Sequence, residues 1–508
     1  MPTNRDIGKR GPELVFGLVS ALGTDLDMVC QILTDELRSV GYSARLIHLS
    51  KQISELDKWS ALPTMERLDK YIEAHQKAGN DVREMTGLGD ALARLGVGAI
   101  RLCRETENKD ANLPIPRVVY IIRQLKHVDE LELLRGLYGH RFYLIAAYSP
   151  RDMRIQSLST KIANSYNSLE AINFRSQAET LINTDEFEAS NKFGQNVRHT
   201  FPQADVFVDA SEADALKKSI QRFIELVFGN PFITPSRDEF AMFHAKAAAL
   251  RSADLARQVG AVIASIDGTV IAVGTNEVPK AGGGQYWDGD KPDARDFTTG
   301  HDQSKEMRKT ALGDILTRLK DSGWLKDEFA KLDSSALFNK AAYILRETRL
   351  MGIGEFGRTV HAEMSAILDA ARRGIAVNDQ TLYTTCFPCQ NCARHIVGAG
   401  LQRVVYIEPY PKSLATTLHD DSICVEGKQG NKVSFVPFIG ISPRQYLELF
   451  EMVERRGPAE SLVSWNKHDA LPRFGAHLLR YAPTDLLEYI DRELIILKEL
   501  KLLLEEIK

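Results

Sequence analysis

The chain has 508 residues, 44% hydrophobic and 26% charged, with a formal net charge of −4. That length exceeds a single core and points to two or three domains, and the mildly acidic balance argues against binding nucleic acid through a general basic surface. The six cysteines, at 30, 103, 386, 389, 392 and 424, show no extracellular disulfide spacing. No apolar run approaches the ~20 residues of a membrane span, and Met1 to Gly11 lacks the apolar core of a signal peptide. The expectation is a soluble cytoplasmic protein with no membrane partner.

Glu13 to Ser20 reads as a buried parallel strand running into a glycine turn, with an amphipathic helix from Thr24 to Val40 that ends at Gly41. Ala44 to Leu49 predicts a second strand, 64–78 and 85–106 predict helices, and Arg117 to Ile122 another strand. A helix at 128–138 and the strand Phe142 to Ala147 complete an alternation that implies a doubly wound α/β domain. Asn230-Pro231-Phe232-Ile233-Thr234-Pro235 marks its expected end, giving domains 1–230 and 231–508.

The second domain opens with a helix from Arg237 to Ser252, then strands Gly260 to Ala264 and Val270 to Thr275 around the hairpin signal Asp267-Gly268. A polar insertion at about 280–350, with a helical middle, is expected to overhang the site that follows. The next elements are a helix from His361 to Arg373, the strand Gln380 to Thr385, a helix at 388–400 and the strand Arg403 to Ile407. A charged, leucine-rich helix at 484–508, read as a packing or oligomer helix, closes the chain.

Two clusters carry chemistry: His361-Ala362-Glu363, and Pro388-Cys389-Gln390-Asn391-Cys392. Together they offer one imidazole and two thiolates to a tetrahedral Zn²⁺ with the fourth position open to water, the signature of a zinc-dependent nucleobase deaminase. Zinc lowers the pKa of bound water to about 7. Glu363, off the helical face of His361, is expected to flank the metal and shuttle protons. Pro388 is expected to start a helix with Cys389 and Cys392 on its first turn, where the helix N-terminus favours thiolates. A redox pair, or a structural zinc knuckle that takes Cys386 and Cys424 as its two further ligands, is the alternative; a redox pair leaves His-x-Glu unexplained.

With Arg251-Ser252, Asp254, Val259 to Val262, Gly274-Thr275-Asn276, Pro279, Gly398 to Gly400 and Val404 to Tyr406, these clusters resemble the deoxycytidylate deaminase family over most of 237–425. The resemblance implies a cytidine deaminase-like α/β/α sandwich, a homo-oligomer (a hexamer among its forms), and action on deoxycytidine nucleotides. By position, Asn276 resembles the asparagine that binds the sugar, and Ser252 falls in the same matched stretch. Coupled to an N-terminal P-loop kinase-like domain, the chain looks like the bacterial deoxycytidine nucleotide deaminases that deplete dCTP and dCMP during phage infection. That resemblance implies an allosteric nucleotide such as dCTP, dTTP or an ATP-like ligand, and in some systems repression by a small RNA.

Gly17, Ser20, Gly23, Thr24 and Asp25 lie on a strand-to-helix turn of the kind that holds phosphate. A working P-loop has Lys after its second glycine, whereas Thr24 follows Gly23 here. A nucleotide-binding regulator, a structural relic and an active kinase are the readings, in that order. Arg67 and Arg83 are candidates for a second phosphate group. Tyr410, Lys412 and Ser413 are candidates for the substrate's sugar and phosphate, and Lys246, Arg251 and Arg257 for added positive charge. A subunit contact is expected at Phe438 to Arg444. The rival readings are a polynucleotide deaminase and a catalytically silent sensor.

Overall fold

The computed structural model describes residues 11–63, 66–188, 191–345, 348, 357–425, 427, 430–451, 454–457, 461–473 and 488–506. Two compact units emerge: Met1–Glu239 together with Phe438–Lys508, and Phe240–Pro437. This differs from the expected division at 230, which gave every later residue to the second domain.

The first unit alternates β1 (Leu14–Val19), α1 (Leu26–Ser39), β2 (Ser43–His48), α2 (Leu68–Thr86), α3 (Ala91–Asn108), β3 (Val118–Arg123), α4 (Val128–Tyr138), β4 (Phe142–Tyr148), α5 (Arg151–Ser165), α6 (Arg175–Glu186), β5 (Val206–Asp209) and α7 (Ala213–Val227). The strands run parallel in the order β5-β4-β1-β3-β2. Its central strand β1 is buried at every position, as a parallel strand covered on both faces must be. Leu14, Phe16 and Leu18 share a core with Val29, Leu33 and Leu37 of α1 and with Ile220 and Phe223 of α7. The helices expected at 64–78 and 85–106 are re-divided. Helix α2 continues to Thr86 and stops because Gly87 turns left-handed (φ 68°), its N–H reaching back to Arg83 and Glu84.

The second unit comprises α8 (Arg237–Leu250), β6 (Gly260–Ala264), β7 (Val270–Thr275), α9 (Gln303–Asp321), α10 (Ser334–Leu345), α11 (Ala362–Arg372), β8 (Thr381–Cys386), α12 (Gln390–Gly398), β9 (Arg403–Glu408), β10 (Ile423–Val425) and β11 (Val433–Pro437). Its sheet order is β10-β11-β9-β8-β6-β7, with β6 antiparallel to both neighbours and the rest parallel. Two glycines set the layers. A Cβ on Gly260 would lie 2.0 Å from the Ala245 carbonyl oxygen of α8, and one on Gly274 would lie 2.1 Å from that of Ala362 in α11. Ala261 pairs directly with Gly274 and so shares its face, while Gly260, one residue away, points to the opposite face. Helices α8 and α11 therefore cover opposite faces of the sheet. Helices α9 and α10, from the insertion, share a small core of Leu312, Leu316 and Leu337.

The chain then returns to the first unit. Strand β12 (Gly440–Ile441) adds antiparallel to the β5 edge, and the Phe438 ring lies 5.8 Å from Phe207. The segment expected at a subunit contact thus pairs within its own chain. Buried Glu239 joins the exit to the return, accepting from Arg222 at 2.6 and 2.8 Å and from the Ile441 N–H at 2.8 Å. Helix α13 (Glu488–Glu506) docks through Glu493, whose carboxylate takes Arg104 at 2.6 and 2.9 Å, Arg101 at 3.2 Å and the Tyr138 hydroxyl at 2.9 Å. Residues 484–487 and 507–508 of that expected helix lie outside the described residues. Among the described residues, no helix is long and apolar enough to cross a membrane.

Candidate active site

His361 and Cys389 are each the residue just before a helix, capping α11 and α12 with extended backbones (ψ 152° and 168°). Helix α12 therefore begins after Cys389, two residues later than the start expected at Pro388. The two helix starts bring His361 Nδ1 to 3.4 Å from both Cys389 Sγ and Cys392 Sγ, the latter on the first turn of α12. Helix N-termini carry partial positive charge and favour thiolates there.

This arrangement fits a tetrahedral cation. With metal–sulfur bonds of about 2.3 Å and metal–nitrogen bonds of about 2.0–2.1 Å, a tetrahedron places neighbouring N and S ligands about 3.5 Å apart, close to the distances found. The ligand atoms of His361, Cys389 and Cys392 lie within 4.8 Å of one another, and no fourth His, Cys, Asp or Glu joins them among the described residues. The protein groups alone favour one thiolate. The neighbouring Cys392 thiol, and then His361, hold Cys389 down to about 4 against its burial. Cys392 is pushed up by its bond to Cys389 and by burial. The Cys389 thiolate raises His361 to about 9. A bound cation deprotonates the second thiol outright.

Glu363, the second residue of α11, is 4% exposed, and its Oε2 lies 3.4 Å from Cys392 Sγ. Burial, with the negative charge of Cys389, raises its carboxyl above the ordinary range. A carboxyl so placed can hold or release a proton, as acid–base catalysis requires. Above it opens a cavity of about 400 Å³ that Asn276, Arg257, Tyr410 and Phe387 also line. The insertion contributes Asp296, Asp302, Ser304 and Arg308 to the same wall. The sequence pointed to an overhang but gave no sign of which inserted residues would face inward.

Asn276 lines the cavity, yet its amide is also a brace: Oδ1 accepts from the Val259 N–H and Nδ2 donates to the Arg257 carbonyl, both at 2.7 Å. Ser252 is buried, donates to the Asn276 carbonyl oxygen at 2.7 Å, and is not among the lining residues. Ser413 donates to the Pro388 carbonyl oxygen at 2.7 Å, holding the cysteine turn, and neither it nor Lys412 lines the cavity. Arg251 is spent on Gln285, the Tyr286 carbonyl and the Trp287 ring.

In the first unit, Gly17 lies inside β1, where a Cβ would lie 2.9 Å from the Phe142 ring. Gly23 has φ +93°, and a Cβ there would lie 2.6 Å from the Arg154 carbonyl oxygen. The Ser20 hydroxyl accepts from Gln124 at 3.0 Å, the Thr24 hydroxyl donates to the Ala21 carbonyl oxygen, and Asp25 caps α1 through Met28. The Asp185 carboxylate takes the Leu22 N–H at 2.8 Å and Lys126 at 2.6 Å. The turn thus already holds an anion belonging to the chain, and phosphate could take that N–H only by displacing it. Arg83 is fully buried against Glu130 at 2.7 Å.

Residues 235–408 match the family described as the cytidine and deoxycytidylate deaminase zinc-binding region. The deoxycytidylate deaminase of Enterobacteria phage T2 is 44% identical over 54 residues, covering 11% of this chain and 29% of that protein. ComE operon protein 2 of Bacillus subtilis (strain 168) is 35% identical over 91 residues, 16% of this chain and 48% of that protein. The chain spans less than half the length of these relatives. A solved dCMP deaminase from the cyanophage S-TIM5, in complex with dCMP and dUMP, aligns with 41% of this chain and all of its own, at 14% identity and a TM-score of 0.23. The stretch from 235 to 408 is thus similar to the zinc-binding region of cytidine and deoxycytidylate deaminases.

Proposed function

We propose that the protein hydrolytically deaminates deoxycytidine nucleotides, dCMP and dCTP, releasing ammonia and the deoxyuridine nucleotide. The observation that carries this reading is the buried Glu363 carboxyl beside the His361, Cys389 and Cys392 triad, with Glu363, His361 and Cys389 lining one cavity. When bound, Zn²⁺ makes water a nucleophile at neutral pH. Glu363 takes the proton that water gives up as its oxygen attacks C4 of the ring, and delivers it to N3. It then passes the second proton to the exocyclic amino group, which leaves as ammonia while the C4 carbonyl forms. A structural zinc site has no need of a buried carboxyl that touches one of its ligands, which disfavours a silent sensor.

The family resemblance extends the proposal to depletion of deoxycytidine nucleotides in defence against phage, with a regulatory first unit and an oligomeric assembly. Within that unit, Asp185 on the Leu22 N–H favours a structural turn over a phosphate cradle, and so disfavours kinase activity. Ammonia release from dCTP, dCMP, CTP, cytidine and a cytosine-containing oligonucleotide tests the reaction. Release from the two deoxynucleotides is expected. Release from the oligonucleotide alone overturns the substrate and returns the polynucleotide reading.

A further inference from the structure

The insertion leaves and re-enters the second unit at one point. Strand β7 ends at Thr275, and just beyond it Glu277 pairs antiparallel with Val360. The Glu277 N–H donates to the Val360 carbonyl oxygen at 3.2 Å, and its carbonyl oxygen accepts from the Val360 N–H at 3.1 Å. Residues 278–359 therefore form a loop closed at its neck. The residue after that neck is His361, whose imidazole faces the two sulfurs. We propose that Glu277 is a positioning residue for the metal site, holding the approach of His361 to Cys389 and Cys392 in register with the cavity wall at 254–259; its effect on turnover rests on the proposed reaction.

The side chain makes the tie. Glu277 is 2% exposed. Its Oε1 accepts from the N–H of the next residue, Val278, at 2.9 Å, which fixes the main chain that carries the bridge. Its Oε2 accepts the Ala253 N–H at 2.9 Å. Ala253 opens the segment from which Asp254 to Arg257 and Val259 line the cavity. The bond from the Ser252 hydroxyl to the Asn276 carbonyl oxygen, at 2.7 Å, joins the same two segments. One carboxylate thus links the wall, the neck of the insertion and the start of α11. Gly274, earlier on the same chain, lets α11 lie close on β7, so β7 sets the depth of that helix and Glu277 sets its entry.

A carboxylate is costlier to bury than an amide, and here it is matched to its site. Two N–H donors converge on it, and it offers an accepting oxygen to each, whereas an amide has only one. Its charge also acts on the Arg251 and Arg295 guanidinium groups, which offsets the loss of hydration. Outer partners that orient metal ligands are typically worth about 10- to 100-fold in metal affinity or activity. Glu277 acts at one remove, through the main chain of Val360, so the lower end of that range is expected.

The test reads the metal site apart from turnover. Full-length Glu277→Gln and Glu277→Asp proteins are compared with the parent by chelator competition for zinc, by the absorption bands of the cobalt(II)-substituted protein, and by kcat for dCMP. Circular dichroism and thermal denaturation check folding. Gln keeps the length but turns an NH₂ group toward one of the donors, and Asp keeps the charge but draws its oxygens back from Ala253. Each folded variant should hold zinc about tenfold more weakly, with altered cobalt bands and kcat lower by a similar factor. Zinc affinity within about twofold of the parent in a folded variant overturns the proposal even if that variant melts earlier, because weakened packing alone spares the metal. Failure of both variants to fold also overturns it, making the carboxylate a folding residue. Weaker zinc binding by the variants of a parent that releases no ammonia supports the positioning role and refutes the reaction. Unchanged zinc binding beside an active parent refutes the positioning role alone.

Discussion

Replacing Glu363 by Gln separates proton transfer from metal binding. The side chain is 4% exposed and lies on the first turn of α11, with Oε2 3.4 Å from Cys392 Sγ. Gln keeps its volume and removes only the proton-accepting oxygen. Because burial already disfavours the charged form, a neutral amide there should leave stability within about 1 kcal/mol of the parent. General acid–base catalysis contributes about 10²–10⁴-fold, or about 3–5 kcal/mol of barrier, so kcat for dCMP and dCTP should fall by about that factor. The His361, Cys389 and Cys392 donors are untouched, and zinc content should equal that of the parent. Ammonia release, elemental analysis and thermal denaturation read the three quantities on one preparation. Activity within tenfold of the parent would refute the acid–base role, and loss of zinc together with activity would make the carboxylate structural.

Cys389→Ser removes one of the three donors, and elemental analysis should show zinc lost together with ammonia release. Gly274→Ala would push a methyl group to 2.1 Å from the Ala362 carbonyl oxygen and 2.4 Å from the Ala366 nitrogen. Such overpacking costs typically 1–3 kcal/mol, and it displaces the helix start that holds His361. The melting temperature and kcat should fall together, whereas a stable variant of full activity would refute the packing argument. Glu493→Ala leaves Arg104 and Arg101 without their shared carboxylate. Breaking a buried pair costs about 3–5 kcal/mol, read as a lower urea midpoint for the first unit.

Local pattern made much of the fold legible. The hairpin of β6 and β7 falls on the expected residues, because Asp267-Gly268 supplies the turn chemistry and Gly268 takes φ +93°. Strands β1, β3 and β4 stand out as short apolar runs, as buried parallel strands do. The spacing of His361, Cys389 and Cys392 encodes their chemistry, but only the fold shows that two of them cap converging helices. What the sequence hid depends on partners far along the chain. Asp185 on the Leu22 N–H and Glu493 on Arg104 join residues 163 and 389 positions apart, and no local periodicity announces such pairs. The dual duty of Asn276 was equally hidden, since its bonds to Arg257 and Val259 exist only once the strands are paired.

The path of the polypeptide has a consequence for biogenesis. The second unit is a guest threaded into a host whose last strand and helix are synthesised only after the guest is complete. A nascent host ending at Glu239 presents β5 as a bare sheet edge, a template for pairing with other chains. It must wait for Gly440 and Ile441 to cover that edge. Closing a floppy connection of this length is entropically unfavourable, so a guest that folds first, shortening the gap, would help the host finish. Excising residues 1–239 for separate expression should therefore yield an aggregating fragment, and a bicistronic experiment supplying 438–508 in trans is the natural rescue.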